Sequence, residues 1–197
     1  MKKEAQIDKD QALHLLVQSN KRFCSEKHDH HDLSHKKRTE LAENGQSPYA
    51  LIVCCSDSRV PPEIIFDCGL GDLFVVRTAG NVVDDVCMGS IEYGAEHLNI
   101  SLIVVLGHEG CGAVQATVNG GESDGCLSKI IERISVSLKA AEGADNIYAA
   151  CEDENIRSTV QQIKENHVIS GLVNDGKVMV IGAKYGLRDG IVSFFDA

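Results

Sequence analysis

Short apolar runs alternate with longer helical patterns along most of the chain, and this alternation limits the folds it can adopt. Runs of Val, Ile, Leu and Phe bounded by polar or turn-forming residues predict five β-strands, at 49–55, 73–77, 102–106, 178–181 and 191–195. A run that is apolar on successive residues suits a strand buried on both faces, as in a parallel sheet. Apolar residues at helical spacing and helix-capping residues predict helices at 10–23, 34–45, from 61 onward, 87–98, 126–140 and 146–166. We therefore expect an α/β protein.

The predicted architecture has three layers, α/β/α, around a mostly parallel central sheet. About four strands should be parallel, because helices separate most of them in the sequence. The last strand should be an antiparallel edge strand, because only the turn-rich segment 185–190 precedes it. The chain has no internal repeat and no low-complexity linker, so we expect one domain over residues 1–197. Within it, 1–45 should form an N-terminal helical arm and 46–197 the α/β core.

Composition and charge exclude several functional classes. A chain of 197 residues, of which 43% are hydrophobic, can bury a core without metal ions or cross-links. Its net charge of −10 disfavours nucleic acids and anionic membrane surfaces as partners. The longest apolar stretches, such as 102–106, are far shorter than the ~18 residues that a membrane-spanning helix needs, and the first residues do not resemble a secretory signal. We expect a cytoplasmic protein with a small-molecule substrate.

The chain has eight cysteines, which stay reduced as thiols in the cytoplasm. An isolated cysteine in an apolar segment is usually a small core residue. We expect this of six of them, which are Cys24, Cys54, Cys68, Cys87, Cys126 and Cys151. The other two, Cys55 and Cys111, occur in segments that contain other polar and metal-binding side chains.

Those two segments follow the first and third predicted strands. Residues 55–59 are Cys-Ser-Asp-Ser-Arg, and residues 107–112 are Gly-His-Glu-Gly-Cys-Gly. The carboxyl ends of parallel strands meet at one edge of a sheet, where ligands bind in such folds. Cys55, His108 and Cys111 would supply two thiolates and one imidazole, a ligand set suited to Zn²⁺. Three protein ligands leave one tetrahedral position open, as in catalytic zinc sites.

Cys54 competes with Cys55 for the ligand position. Successive side chains of a strand point to opposite faces, so only one of the two thiols can easily reach the metal. The spacing to Asp57 and Arg59 favours Cys55. Two thiolates also neutralise the charge of Zn²⁺, so a bound water should have a pKa above about 7, and activity should rise toward alkaline pH.

The residues around the ligands suggest further roles. The Arg59 guanidinium can grip the Asp57 carboxylate in a bidentate pair, which keeps the acid ionised and directed. Gly110 and Gly112 flank Cys111 and permit a tight turn. Their backbone N–H groups, at the start of a helix, could face a developing anion.

Together these motifs resemble those of the β-class carbonic anhydrases. The matching segments are Cys-Ser-Asp-Ser-Arg at 55–59, Val-Pro-Pro-Glu at 60–63, Phe-Val-Val-Arg at 74–77, Ser-Ile-Glu-Tyr at 90–93 and Gly-His-x-x-Cys-Gly at 107–112. The resemblance implies reversible hydration of CO2 to bicarbonate and a proton, by attack of zinc-bound hydroxide. It implies one Zn²⁺ per chain, held by Cys55, His108 and Cys111. Asp57, paired with Arg59, resembles the aspartate that becomes a fourth zinc ligand in a closed form.

Finer matches resemble the plant-like branch of that family. Gln46 lies nine positions before the first zinc cysteine, as that branch has it, and would steady the bicarbonate. Phe74 and Tyr93 fall where that branch places aromatic residues beside the CO2 pocket, contributed across a dimer interface. Position 52 is Ile, where the bicarbonate-inhibited branch has Trp. The resemblance thus implies an open site and a homodimer or higher oligomer, although Arg-Thr-Ala-Gly-Asn at 77–81 replaces the commoner Arg-Asn-x-Ala-Asn.

Other functions remain open at this stage. The same zinc site would serve a carbonyl sulfide or carbon disulfide hydrolase, because metal and nucleophile would be identical. A non-catalytic zinc or redox-sensing protein would need Cys54 or Cys68 as a fourth ligand, or a reactive thiolate at Cys111. The histidine-rich segment 28–35 could be a second metal site or a proton relay, but so polar a stretch is more often a solvated loop.

Overall fold

A five-stranded sheet forms the centre of the protein in the computed structural model, which describes residues 7–121 and 124–195. Its strands are β1 (Ala50–Cys55), β2 (Leu73–Thr78), β3 (Leu102–His108), β4 (Met179–Tyr185) and β5 (Val192–Phe195). They lie in the order β2-β1-β3-β4-β5. The first four are parallel, and β5 pairs antiparallel to β4. The predicted mostly parallel sheet with one antiparallel edge strand is confirmed.

Eight α-helices occur in the described residues and cover both faces of the sheet. They are α1 (Lys9–Cys24), α2 (His35–Asn44), α3 (Pro62–Ile65), α4 (Asp85–Glu96), α5 (Gly112–Val118), α6 (Leu127–Ala140), α7 (Ile147–Glu165) and α8 (His167–Asn174). The sequence did not predict α8 as a separate helix. Asn166 interrupts the helical path with an extended backbone, and its side chain accepts hydrogen bonds from the N–H groups of Val168 and Ile169. It therefore ends α7 and caps α8.

The two faces of the sheet contact different helices, because successive side chains alternate along each strand. Ile52 and Cys54 point into a core shared with Leu16 of α1. Leu51 and Val53 of the same strand point the other way, into a core shared with helices α4, α7 and α8. Both strand faces are thus buried, as expected for a parallel sheet between helical layers.

Helix α1 is attached to the core by a buried asparagine. The Asn20 side-chain amide donates hydrogen bonds to the carbonyl oxygens of Ile65 and Gly190, at 3.2 and 2.9 Å. Its oxygen accepts a hydrogen bond from the Val192 N–H at 2.9 Å. A single polar side chain therefore connects the first helix to both α3 and the edge strand β5.

Two of the six cysteines expected in the core are exposed, so that prediction was wrong for Cys24 and Cys126. Cys24 is the last residue of α1 and Cys126 immediately precedes α6, and both of these helix ends lie at the surface. Cys54 and Cys151 are buried as expected, and the two remaining cysteines, Cys68 and Cys87, are partly buried.

Among the described residues, no helix is long and apolar enough to span a bilayer. Residues 1–6, from which the sequence argued against a secretory signal, lie outside the described part of the chain.

Candidate metal centre

Parallel pairing of β1 with β3 brings two candidate ligands to one edge of the sheet. Register pairs Cys54 with Leu106, so the carboxyl ends of the two strands emerge side by side. Cys55 is the last residue of β1 and His108 is the last residue of β3. Cys111 follows as the residue that precedes α5.

The side chains of Cys55, His108 and Cys111 converge on one point. One ligand atom from each, two sulfurs and one ring nitrogen, all lie within 4.8 Å of one another. All three residues are buried, and they form the single such group found in the part of the chain that the structure describes. The three ligands proposed from the sequence are therefore brought together.

The state of the His108 ring indicates that this group suits a metal ion. Nδ1 lies 2.8 Å from the Glu109 carbonyl oxygen, which can only accept, so Nδ1 carries the proton. Nε2 then presents a lone pair, yet it is buried and has no hydrogen-bond partner among the described residues. Leaving a buried polar atom unpaired costs about 1–3 kcal/mol. A metal ion bound by Nε2 would remove that cost, and a backbone acceptor on the other nitrogen is typical of metal-binding histidines.

The Cys55 and Cys111 side chains interact, and the interaction shifts their pKa values in opposite directions. A hydrogen bond from the Cys111 thiol lowers the pKa of Cys55 to about 4, and it raises the pKa of Cys111. The Gly80 N–H also donates to the Cys55 sulfur, at 3.3 Å. The N–H groups of Ala113 and Val114 in α5 act on Cys111 in the opposite direction and lower its pKa. The interaction therefore favours a thiolate at Cys55 and a protonated thiol at Cys111, and a divalent cation would displace that proton.

Asp57 and Arg59 form a bidentate ion pair beside these ligands. Arg59 Nε lies 3.0 Å from Asp57 Oδ1 and Arg59 Nη2 lies 2.7 Å from Oδ2. These hydrogen bonds hold the pKa of Asp57 well below its usual range. Asp57 Oδ2 is 4.0 Å from His108 Nε2, but the carboxylate does not belong to the convergent ligand group. Arg59 therefore holds an ionised carboxylate next to the ligands without making it one of them.

The turn between His108 and Cys111 depends on Gly110 rather than on Gly112. Gly110 has a φ of +63°, which L side chains rarely adopt, and its carbonyl accepts a hydrogen bond from Arg59 at 3.2 Å. Gly112 begins α5, does not have a positive φ, and a Cβ there would meet no atom within 4 Å. Its proposed role toward an anion stays a prediction.

Arg77, on β2, supports the carboxyl end of the neighbouring strand β1. Its Nε donates to the Cys55 carbonyl at 3.0 Å and its Nη2 donates to the Asp57 carbonyl at 2.8 Å. Gly80 follows with a φ of +69°, and a Cβ there would lie 2.8 Å from Ile134 Cδ1. The departure from the commoner family pattern at 77–81 therefore provides a glycine where the chain needs a left-handed residue in close contact with α6.

A buried glutamate of α7 is a site residue that the sequence did not reveal. Glu152 Oε1 accepts hydrogen bonds from the N–H groups of Gly110 and Cys111, at 2.8 and 3.3 Å. Glu152 Oε2 lies 3.0 Å from Lys184 Nζ. A signal was present, because Glu152, Asn155 and Thr159 form a polar stripe at helical spacing on a face that is otherwise apolar.

Comparison with known proteins decides the family. The family model described as "Carbonic anhydrase" matches residues 50–192. Carbonic anhydrase 2 of Mycobacterium tuberculosis is 41% identical over 182 residues, which cover 89% of this chain and 87% of that protein. A carbonic anhydrase of Mycolicibacterium smegmatis is 39% identical over 184 residues, 90% of this chain and 88% of that one. The chain belongs to the β-class carbonic anhydrases.

Solved β-carbonic anhydrase structures have the same fold. The Coccomyxa enzyme, solved with acetazolamide, aligns with a TM-score of 0.72 at 27% identity, over 93% of this chain and 86% of that one. The β-carbonic anhydrase CcaA aligns with a TM-score of 0.73 at 26% identity, over 82% of this chain and 86% of that one. The predicted α/β/α fold class is confirmed by this similarity as well as by the sheet itself.

Within one chain, this carbonic anhydrase keeps Gln46, Phe74 and Tyr93 away from the metal ligands. Gln46 is exposed in the loop before the amino end of β1. Phe74 pairs in register with Leu51, four residues and so about 13 Å along β1 from Cys55. Tyr93 lies on α4 with its ring centroid 6.2 Å from that of Phe74, and it is 47% exposed. The structure therefore groups the two aromatic residues at the opposite end of the strand from the thiols.

The histidine-rich segment does not form a second compact ligand group in the residues described. His28 Nδ1 and His31 Nε2 lie 3.6 and 3.4 Å from Asp67 Oδ1. The ring nitrogens of these histidines and the Asp67 carboxylate do not all lie within 4.8 Å of one another. Arg22 Nε already pairs with Asp67 Oδ2 at 2.7 Å. These histidines surround a neutralised carboxylate that links the N-terminal helix to the turn after α3.

Proposed function

We propose that the protein catalyses the reversible hydration of CO2 to bicarbonate and a proton, with one Zn²⁺ per chain held by Cys55, His108 and Cys111. The observation that carries this proposal is the convergence of their three buried ligand atoms within 4.8 Å, in a member of the carbonic anhydrase family. When bound, Zn²⁺ supplies the Lewis acidity that makes water a nucleophile near neutral pH.

Asp57 is the group that orients the attacking water. Its carboxylate stays ionised because Arg59 donates three hydrogen bonds to it, two from the guanidinium and one from the backbone N–H. An ionised carboxylate can only accept hydrogen bonds, so Asp57 directs the lone pair of a donating water away from itself and toward CO2. The same grip keeps Asp57 out of the ligand group, which supports the open form of the site.

The ligand count supports a catalytic rather than a structural zinc site. Cys54 points into the opposite core of the sheet, shared with α1. The Cys68 sulfur lies 3.0 Å from the Tyr49 hydroxyl oxygen, in that same core. Neither thiol joins the ligand group, so the described residues would provide three ligands to Zn²⁺ and would leave one position for water or substrate.

Gln46, Phe74 and Tyr93 require a second chain if they line the CO2 pocket. They lie beyond the reach of the metal ligands of their own chain, and β2 is an edge strand of the sheet. We propose that a homodimer or higher oligomer places them against the partner's metal centre, where Gln46 steadies the bicarbonate formed. The half-exposed Tyr93 supports this, because a large aromatic side chain gains free energy when an interface covers it.

The cytoplasm is the proposed location. All eight cysteines are free thiols, including the two that must act as ligands. A reducing compartment preserves such thiols, whereas an oxidising one would threaten the ligand pair with oxidation.

The test compares two substrates on the purified zinc protein across pH. We expect CO2 hydration to dominate, to increase toward alkaline pH, and to disappear when zinc is removed and return when it is restored. Faster hydrolysis of carbonyl sulfide than hydration of CO2 would overturn the proposed substrate. A rate that is unchanged after zinc removal would overturn the proposed site.

A further inference from the structure

We propose that Glu152 is a positioning residue for the ligand Cys111, and that Lys184 holds it in place. This inference rests on the proposed zinc site. Glu152 lies on α7 and contacts the turn from His108 to Cys111, here called the ligand turn, through the backbone N–H groups of Gly110 and Cys111.

The Glu152 carboxylate uses both oxygens in a buried position. Oε1 accepts from the N–H groups of Gly110 and Cys111, at 2.8 and 3.3 Å, and Oε2 pairs with Lys184 Nζ at 3.0 Å. The residue is 6% exposed. A buried carboxylate is costly unless it is paired and hydrogen-bonded, and here both conditions are met.

Lys184 is itself fixed from several sides. Its ammonium group lies 2.7 Å from Asp153 Oδ1 and 3.3 Å from the Ala149 carbonyl, in addition to Glu152. Burial lowers the pKa of Lys184, but Asp153 and Glu152 raise it by more. The net pKa is above its ordinary value, so the side chain stays charged. In the β3–β4 register Lys184 pairs with Gly107, the residue before His108. The ion pair therefore connects α7 to the strand end that carries the histidine ligand.

The ligand turn is held from two sides. Arg59 donates to the Gly110 carbonyl, while Glu152 accepts from the Gly110 and Cys111 amides. Gly110 benefits from this support because glycine loses more conformational freedom on folding than any other residue, and its backbone here is left-handed. Without Glu152, two amides in a partly buried turn would lose their acceptor, and the Cys111 sulfur would lose its fixed direction toward Cys55 and His108.

The neighbouring Glu154 provides a matched control. It lies on the same helix and pairs with Arg157 at 3.3 Å, but with both side chains much more exposed than Glu152. Among the described residues, it makes no hydrogen bond or ion pair with the ligand turn. Removing its charge changes the net charge of α7 as much as changing Glu152 does.

The experiment measures metal binding in Glu152→Gln, Glu152→Ala and Glu154→Gln. Zinc affinity is measured by competition with a chelator, and the geometry of the site by the absorption spectrum of protein saturated with Co²⁺. We expect about 10-fold to 100-fold weaker zinc binding in Glu152→Ala, a smaller loss in the isosteric Glu152→Gln, and no change in Glu154→Gln. The thiolate-to-cobalt absorption should also change in the Glu152 variants at full occupancy, which a loss of stability alone would not cause.

The outcomes separate this proposal from the proposed function. Zinc affinities and cobalt spectra of both Glu152 variants that equal those of the unsubstituted protein would overturn the positioning role, whatever the CO2 rate. Weaker zinc binding and altered spectra in a protein that does not hydrate CO2 would support the positioning role and overturn the function. If the unsubstituted protein binds neither metal, both proposals fall.

Discussion

The residues at the two ends of strand β1 differ in whether they form a convergent site within one chain. At the carboxyl end, Cys55, His108, Cys111 and Asp57 lie together, because parallel pairing with β3 leaves the two ligand segments adjacent. At the amino end, Gln46 and the aromatic pair Phe74 and Tyr93 are exposed or half-exposed and face no metal ligand of their own chain. The difference supports the proposal that one chain builds the metal site, whereas a second chain completes the substrate pocket.

The largest effect should come from removing a ligand at the carboxyl end. Cys55→Ala should abolish zinc binding and lower CO2 hydration by at least about 10³-fold, because two protein ligands hold Zn²⁺ poorly and the nucleophile depends on the metal. Cys54→Ala is the matched control, since Cys54 points into the opposite core and should leave the zinc content unchanged. Metal analysis with stopped-flow hydration rates checks both. Equal zinc loss in the two variants would contradict the assignment.

Asp57 should affect turnover without affecting metal content. Asp57→Asn removes the negative charge that orients the water and should lower kcat by about 10²- to 10³-fold while one zinc per chain remains. Asp175→Asn, at an exposed pair with Lys177, is the control and should be neutral. Full activity in Asp57→Asn would refute the catalytic role.

The amino end can be tested by mixing two defective chains. In a dimer whose sites are shared, a Cys55→Ala chain supplies an intact Gln46 to the metal centre of a Gln46→Ala chain, so each mixed dimer has one native site. Random reassociation of equal amounts should therefore restore about a quarter of native activity. Each variant alone, dissociated and reassociated in the same way, is the control. If the mixture has only the average activity of the two parents, Gln46 acts within its own chain or not at all.

Metal binding should also depend on pH. The interaction between the two thiols raises the pKa of Cys111 and lowers the pKa of Cys55, so Cys111 carries the proton of the pair. Zn²⁺ must displace the Cys111 proton, so its apparent affinity should rise about tenfold per pH unit for each proton released and should weaken as pH falls. Chelator competition between pH 6 and 8 measures this slope. A flat profile would contradict a protonated thiol at Cys111 in the metal-free site.

The sequence predicts the carboxyl end well because its residues follow from local rules. An apolar run predicts a buried strand, and parallel strands end at one edge of the sheet. Alternation lets only one of Cys54 and Cys55 reach the metal, and the spacing to Asp57 and Arg59 selects Cys55. Ser34 and Gly45 likewise bound the second helix as their capping preferences indicate. These features depend on neighbours in the chain or on a single strand pairing, so composition and spacing are sufficient to find them.

The features that the sequence misses depend on distant contacts. Glu152 meets the Gly110 and Cys111 amides from 42 and 41 residues away, and no local pattern states how α7 lies on the ligand turn. The exposure of Cys24 and Cys126 depends on where two helix ends lie relative to the surface. An isolated cysteine has little preference that reveals this, so the general tendency toward burial predicted both incorrectly.

The proposed zinc centre at one edge of the sheet has two thiolates, one imidazole and an exchangeable fourth position. X-ray absorption at the zinc edge of the purified protein tests it most directly. We predict two sulfur ligands near 2.3 Å and two lighter ligands near 2.0 Å, at one zinc per chain. A shell of four sulfurs, or one without sulfur, would contradict the account.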